Sequence, residues 1–311
     1  MIQFTKSQNG NAVGAQESRR KRFNYRKLLP YLLVAPAMVS LCTFVVYPII
    51  NLIYLSFTDW NMISPVKRYV GIRNYKILFS KPDFIQAMGN TVVYTIAMVV
   101  LLLVGSTLFA VWLKGNSKLN FITQTAMFTP HIISLVSVAM VWQWLMEPNV
   151  GVLNTILRFL GLKPLMWLER SETALFSIII VSFWKSIGYY TLVVLASLQS
   201  IPTELYEAAA LDGAGKTKTF TRITLPMLSP QLFFLLIVIT ISSFKVFDTI
   251  NIMTNGGPAG STNVLAYYIY QYAFSYMKIG YASAAGTVLL VILALLTIVY
   301  FRALSKKVHY Q

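Results

Sequence analysis

Apolar positions along this 311-residue chain gather into six long runs, separated by short clusters of polar and charged residues. A helix crosses the hydrocarbon core of a bilayer with about 20 residues, since each adds about 1.5 Å to a layer about 30 Å thick. The runs at 28–57, 88–113, 121–146, 174–198, 227–250 and 281–304 all meet that length. Prolines or polar residues interrupt the first and third. The pattern predicts an all-α integral membrane protein with six transmembrane helices over 28–304, a basic arm over 1–27 and a short tail over 305–311.

The segment at 199–226, between the fourth and fifth runs, carries the most information. Its charges, two helix-breaking glycines and terminal proline do not suit lipid, so it projects into water. Pro202-Thr203 reads as a helix start, with Thr203 as N-cap and Glu204 and Glu207 favoured by the positive end of the helix dipole. Gly213 and Gly215 supply backbone freedom for a turn. Residues 216–223 then make a second short helix, and Pro226 opens the next span. The predicted helix–turn–helix, held out of the membrane by a span at each end, is a docking knob for a cytoplasmic partner.

Inside the same segment, Ala210-Leu211-Asp212-Gly213-Ala214-Gly215-Lys216-Thr217 fits the loose form of a phosphate-binding loop. That motif works where it follows a strand and opens a helix, so that backbone amides cradle phosphate. Here a helix signal precedes it and no parallel-sheet domain surrounds it. The match is accidental, and the chain is expected not to bind ATP itself.

Composition agrees with the pattern: 56% apolar residues, 12% charged residues and a mean hydropathy of +0.62 exclude an ordinary soluble globular domain. The net charge of +16 is a topology signal. Lys6, Arg19, Arg20, Lys21, Arg22, Arg26 and Lys27 precede the first run, and Arg302, Lys306 and Lys307 close the chain. With six spans both ends share one side, and basic ends place that side in the cytoplasm. Fifteen lysines and arginines then lie inside, against nine in the outer loops. Charges spread over tails and both membrane faces exclude nucleic acid as a partner. The basic stretch before the first run resembles a signal peptide, but the run is too long for a cleaved one. The single cysteine, Cys42, excludes an intrachain disulfide and a cysteine-based metal site.

No catalytic constellation can be assembled from His131 and His309, and His131 reads as a packing or interfacial residue. Lys185 falls near the middle of the fourth run beside Trp184, Ser186, Tyr189 and Tyr190. A lysine at that depth costs about 3 kcal/mol on insertion scales, so it faces protein or a wet path. Two readings stay open: aromatic and hydroxyl groups arranged for a sugar, or helix packing with Lys185 bonded to backbone carbonyls. Lys245 and Asp248 sit three apart, placed to pair or to line a gate. Asn255-Gly256-Gly257-Pro258 is a turn signal, and the aromatic stretch at 264–274 suits the membrane interface or a partner surface. Ala282 and Gly286, four apart, allow close approach of another helix.

The spacing Glu207-Ala208-Ala209, three residues, Gly213, nine residues, then Ile223-x-Leu225-Pro226 resembles the EAA loop of ABC importer permeases. Phe57-Thr58-Asp59-Trp60, Val70-Gly71-Ile72-Arg73-Asn74-Tyr75, Pro148-Asn149-Val150-Gly151-Val152-Leu153-Asn154 and Trp184-Lys185-x-x-Gly188 look like the carbohydrate branch of that family. So does Phe247-Asp248 with Asn255-Gly256-Gly257-Pro258. Over roughly residues 30–305 the chain resembles binding-protein-dependent carbohydrate permeases of the maltose and glycerol-3-phosphate type.

The resemblance implies the type I ABC importer permease fold in a bacterial inner or plasma membrane. Its implied partners are an extracytoplasmic solute-binding protein, a second permease subunit forming a heterodimer, two cytoplasmic ATPase subunits and membrane lipid. ATP and Mg would bind the ATPase chains, and this chain would hold no cofactor. The implied coupling residues are Glu207, Ala208, Ala209, Asp212, Gly213, Gly215, Ile223, Leu225 and Pro226, with Glu207 meeting a basic group on the ATPase and Gly213 forming the turn. Sugar contacts carried over from the maltose-type member fall on Ser182, Lys185, Ser186 and Tyr189 before the loop, and on Ile239, Ser242 and Val246 after it. Only Tyr189 keeps a similar side chain, so maltose itself is not implied. An importer of a sugar or oligosaccharide is expected. A glycerophosphodiester or other polar solute, or a scaffold that transports nothing, are the alternatives.

Overall fold

The structure, a computed structural model, describes residues 25–115 and 117–304. Most of the expected basic arm and the whole expected tail at 305–311 lie outside the described residues. Contacts divide the chain into two units, 1–50 and 51–311.

In the first unit, α1 (Tyr25–Leu41) passes through a wide π turn, Cys42–Val46, into α2 (Tyr47–Ser56), whose residues from Asn51 on belong to the second unit. Along Leu29–Ser56 only Leu55 and Ser56, at its end, are buried. Tyr31, Leu33 and Phe44 are exposed, the surface expected of a helix in lipid.

In the second unit, a two-residue hairpin, β1 (Thr58–Asp59) antiparallel to β2 (Arg68–Tyr69), leads to α3 (Arg73–Ser80). The buried Asn74 side chain donates to the carbonyls of Ser56 and Thr58 at 2.8 and 2.9 Å, stapling the hairpin to α3. Next comes α4 (Pro82–Trp112), with Pro82 in its first turn, where a missing N–H costs nothing. The third run is not one straight helix. It divides into α5 (Lys118–Ile132) and α6 (Leu135–Leu145), bent by 99°. Pro130 withdraws a hydrogen bond from the last turn of α5, and Ile133 and Ser134 are extended. α7 (Val152–Phe159) is a short amphipathic helix, followed by α8 (Ser171–Gln199).

After α8 come α9 (Thr203–Leu211) and α10 (Lys216–Thr219). A π turn, Phe220–Thr224, then carries the chain into α11 (Leu225–Phe244). Two corrections follow. Pro202, not Thr203, is the N-cap of α9, and it makes no side-chain cap. The expected second short helix is the root of the fifth span, helical from Lys216. The reason is the π turn. Leu225 N–H bonds the Phe220 carbonyl five residues back, giving Pro226 room to sit in a helix it would otherwise break. The π turn before Tyr47-Pro48 does the same, with Tyr47 N–H bonding the Cys42 carbonyl.

α11 ends at Phe244, and α12 (Asp248–Met253) is a separate piece, so Lys245 and Asp248 do not share a helix face. α13 (Leu265–Tyr270) and a π turn, Gln271–Ser275, precede α14 (Ile279–Leu304). The aromatic stretch at 264–274 is largely core rather than surface. Tyr268 is fully buried, packing on Phe84 of α4 and bonding the Tyr281 hydroxyl of α14 at 2.8 Å. Among the described residues five helices are long and apolar enough to cross a membrane, or six if the bent α5–α6 pair counts as one broken span. The core is built where α4, α8 and α11 pack together, around Tyr94, Leu102, Ile178, Ile187, Leu235 and Ile239.

Candidate functional site

Two sites emerge at opposite ends of α11. The first is the projecting helix α9 and its turn. Gly213 has φ +67, a left-handed conformation that favours glycine. Its N–H bonds the Ala210 carbonyl at 3.1 Å, and the next amide, Ala214, reaches Ala209 at 2.9 Å, closing the end of α9. Gly215 has φ −69, ordinary extended backbone that needs no glycine. Glu207, Ala208, Asp212 and Gly213 are exposed, Ala209 is buried, and Ile223 and Pro226 are half-buried where the loop meets the membrane domain. Leu225 is exposed. Residues 210–217 begin in the last turn of α9, so a helix and not a strand precedes them, as the sequence predicts.

One residue outside the sequence motif stands out. Leu211 is 90% exposed, four residues after Glu207 and therefore on the same helix face. A large apolar side chain in a water-exposed loop was the signal available for it.

Tyr206 anchors α9 from within. Lys114, just past the end of α4, places Nζ 3.7 Å from the centre of the Tyr206 ring. The Tyr206 hydroxyl lies 3.3 Å from Oγ1 of Thr224, which is buried in the π turn at the root of α11. The helix axis rises about 27 Å from Thr224 to Ser242, at about 1.5 Å per residue. The Tyr206–Thr224 contact therefore joins α9 to the root of a helix that reaches the second site.

That second site is a cavity of about 310 Å³ between α4, α5, α6, α8 and α11. Ser182, Lys185, Ser186, Ile239, Ser242 and Val246 all line it, so six of the seven residues marked for the solute path meet in one place. Tyr190, one of the aromatics the sequence offers for a sugar, lines it as well, as do Tyr94, His131, Ser243 and Thr249, which sequence reasoning did not select for that path. Tyr94 and Thr249 come from helices whose apolar pattern gives no sign of which face turns inward.

Tyr189 is not among the lining residues. Its ring stacks on His131 at 4.6 Å with a 13° tilt, and meets Tyr190 edge-on at 5.2 Å. Trp184 packs against Trp142 of α6 at 5.4 Å, so it braces the broken span.

Lys185 is the midpoint of α8 and half-buried. Its Nζ donates to the carbonyls of Pro130 at 3.0 Å, His131 at 3.4 Å and Ile133 at 2.7 Å. The end of any helix leaves carbonyls without partners and carries partial negative charge. At the break between α5 and α6 that end lies inside the membrane domain, and Lys185 supplies both the donors and the charge. The carbonyl-bonded reading of Lys185 is the one the geometry gives, at the wall of the cavity.

α5 reaches α8 closely enough to do this because position 188 is glycine. A Cβ there would overlap the Met127 carbonyl.

On the membrane face opposite α9, the segment at 148–154 is held by its own polar groups. The fully buried Asn154 side chain donates to Pro148 and Leu165 carbonyls and accepts from Leu165 N–H and Trp167 Nε1, all between 2.8 and 3.0 Å. Glu147 accepts from the amides of Val150 and Asn149, which hold its carboxyl below the usual range, Val150 foremost.

Residues 114–310 match the family described as binding-protein-dependent transport system inner membrane component. A probable ABC transporter permease protein of Bacillus subtilis is 38% identical over 283 residues, covering 90% of this chain and 97% of that protein. The sulfoquinovosyl glycerol transport system permease protein of Agrobacterium fabrum is 35% identical over 286 residues, covering 90% and 92%. Among solved structures, a bacterial alginate ABC transporter in complex with an alginate pentasaccharide-bound periplasmic protein holds a chain with TM-score 0.81 and 26% identity, covering 91% of this chain and 96% of that one.

Proposed function

The chain belongs to the inner-membrane components of binding-protein-dependent transport systems, and from that premise we propose that it is one permease subunit of an ATP-driven importer of a sugar or oligosaccharide. It is a multi-pass membrane protein of a transport system. In the proposed assembly a second permease subunit completes the path and an extracytoplasmic binding protein delivers the solute. Two ATPase chains, which hold ATP and Mg, grip α9 from the cytoplasm, so both chain ends lie on that side.

The observation that carries this reading is the chemistry of the cavity at the midpoint of α8. Hydroxyl-bearing residues (Tyr94, Tyr190, Ser182, Ser186, Ser242, Ser243 and Thr249) line it beside the apolar Met98, Leu102, Leu135, Ile239 and Val246. Lys185, the one formally charged lining residue, already donates to three carbonyls. Hydroxyl groups that both donate and accept suit a polyhydroxylated solute. At about 310 Å³ the space is at the lower end of the roughly 300–1,000 Å³ usual for ligands.

Energy would enter at Glu207, Leu211 and the Gly213 turn. Closure of the ATPase pair moves α9, and Tyr206 passes the displacement to Thr224 and along α11. Ile239 and Ser242 are carried with it, opening the cavity to one side and then the other. The sugar-linked names of the relatives support the solute class.

Reconstitution into liposomes with the cognate partner chains tests the proposal. Uptake of a labelled sugar, with ATP hydrolysis stimulated by solute-loaded binding protein, is expected. Stable binding of an ATPase without uptake of any solute would make the chain a scaffold.

A further inference from the structure

A second cavity, of about 200 Å³, lies on the membrane face opposite α9. The spans fix its height. One helix ends at Ser56, three residues before Asp59; another begins at Pro82, directly after Lys81; a third begins at Ile279, directly after Lys278. Asp59, Lys81 and Lys278 all line the cavity, so it sits where hydrocarbon gives way to headgroups. Tyr272 and Tyr281, both buried, line it as well.

Three cations from three separate elements converge here: Arg73 from the start of α3, Lys81 from the N-cap of α4 and Lys278 from the approach to α14. Asp59 faces them, and Asp83, in the first turn of α4, acts on Lys81 from beside the cavity, so cations still outnumber carboxylates three to two. Lys81 is fixed in place. Its Nζ donates to the Tyr272 hydroxyl at 3.2 Å and lies 5.2 and 5.6 Å from the Tyr272 and Tyr281 ring centres. The hydrogen bond with Tyr272 is the main reason its pKa rises, so the ammonium stays charged. Arg73 and Lys278 remain exposed at the mouth. Like charges gathered in one concavity repel unless an anion joins them, and the planar guanidinium matches phosphate oxygens in pairs.

We propose that this cavity binds a phosphate group, supplied from the membrane by an anionic phospholipid headgroup. The space admits a phosphate and little more, which argues against insertion of a protein surface. Phe79 and Ile85, exposed on either side of Lys81, offer apolar surface for an acyl chain. The site is separate from the solute path and does not depend on which solute is carried.

The test is thermal unfolding of the purified assembly in detergent, with phosphatidylglycerol, phosphatidylcholine or inorganic phosphate added in turn. Phosphatidylglycerol should raise the melting temperature and phosphatidylcholine should not. A protein carrying Arg73→Gln and Lys278→Gln, both exposed positions that spare the core, should lose at least half of that shift. Native mass spectrometry should show the same variant retaining less phosphatidylglycerol. An equal, variant-sensitive shift from inorganic phosphate alone supports the site and assigns its anion to solution. Equal stabilisation by both lipids, or a full shift in the variant, overturns the proposal. So does a variant that keeps its lipid shift but responds more weakly to solute-loaded binding protein, because the cavity would then be a contact for an acidic protein surface.

Discussion

Lys185 Nζ donates a 2.7 Å hydrogen bond to the carbonyl of Ile133, across the gap where the third span breaks. The lysine and the broken helix explain each other. Without the break, no free carbonyls would lie at this depth; without the lysine, the freed carbonyls would be unpaired in a region poor in water. Lys185→Met is expected to lower the melting temperature of the assembly, since it leaves the carbonyl of the buried Pro130 unpaired, at about 1–3 kcal/mol. Lys185→Arg should retain part of the stability. A lysine that serves only to bind solute would instead give a Lys185→Met protein with a raised KM and an unchanged melting temperature.

The two loop glycines should behave differently. Gly213 has φ +67, and an L-residue held there costs about 1–2 kcal/mol, more with a β-branched side chain. Gly213→Val should abolish solute-stimulated ATP hydrolysis while the spans still insert. Gly215 is extended, and a Cβ there meets nothing within 4 Å, so Gly215→Ala should work nearly as well as wild type. Liposome ATPase assays on the two variants check both claims.

The six runs were legible because apolar length reports hydrocarbon thickness directly. The projecting loop was legible because charge, glycine and proline interrupt that pattern. What pattern could not supply is how a helix tolerates its prolines. A π turn ahead of Pro48 and another ahead of Pro226 keep those helices continuous, whereas Pro130 precedes a 99° bend. The difference lies in tertiary partners, since Lys185, 55 residues from Pro130 along the chain, receives the freed carbonyls. The solute-path assignments rested on resemblance, and six of those residues meet around one cavity. Which of Tyr189 and Tyr190 faces it depends on helix rotation, which adjacent aromatics do not reveal. Stretch 264–274 misled because a tyrosine cluster buried around Lys81 has the same composition as an interfacial belt.

Gly188 tests the close crossing of α5 and α8. Any Cβ at this position overlaps the Met127 carbonyl, so Gly188→Val must push the helices apart and draw Lys185 away from its acceptors. Loss of assembly is expected, by the larger mechanism of overpacking, which typically costs about 1–3 kcal/mol or more. Gly89 of α4 is the control: a Cβ there meets nothing within 4 Å, and Gly89→Ala should be neutral or slightly stabilising. Size-exclusion chromatography of the purified assembly distinguishes them.

Glu147 sets a pH dependence for the loop at 148–154. Its folded pKa is held down by the Val150 and Asn149 amides. The stabilisation is therefore present above the ordinary carboxylate pKa and is lost as pH falls through the depressed value. Protease cleavage of the 148–154 loop should increase on acidification in wild type, and Glu147→Gln should flatten that dependence.

Tyr206 separates coupling from assembly. Its ring meets Lys114 at the end of α4, and its hydroxyl meets Thr224 at the root of α11, so it joins α9 to the rod that reaches the cavity. Tyr206→Phe keeps the ring contact and removes one hydrogen bond, worth about 0.5–1.5 kcal/mol. Tyr206→Ala removes the cation–π contact as well, worth about 0.5–2 kcal/mol more. If displacement travels through Tyr206, the first change should lower the solute carried per ATP hydrolysed, and the second should lower it further, while the ATPase chains stay bound. The measurement is the ratio of labelled solute taken up to phosphate released in the same liposomes. An unchanged ratio in Tyr206→Ala would mean that α9 drives α11 through the backbone of the Gly213 turn alone.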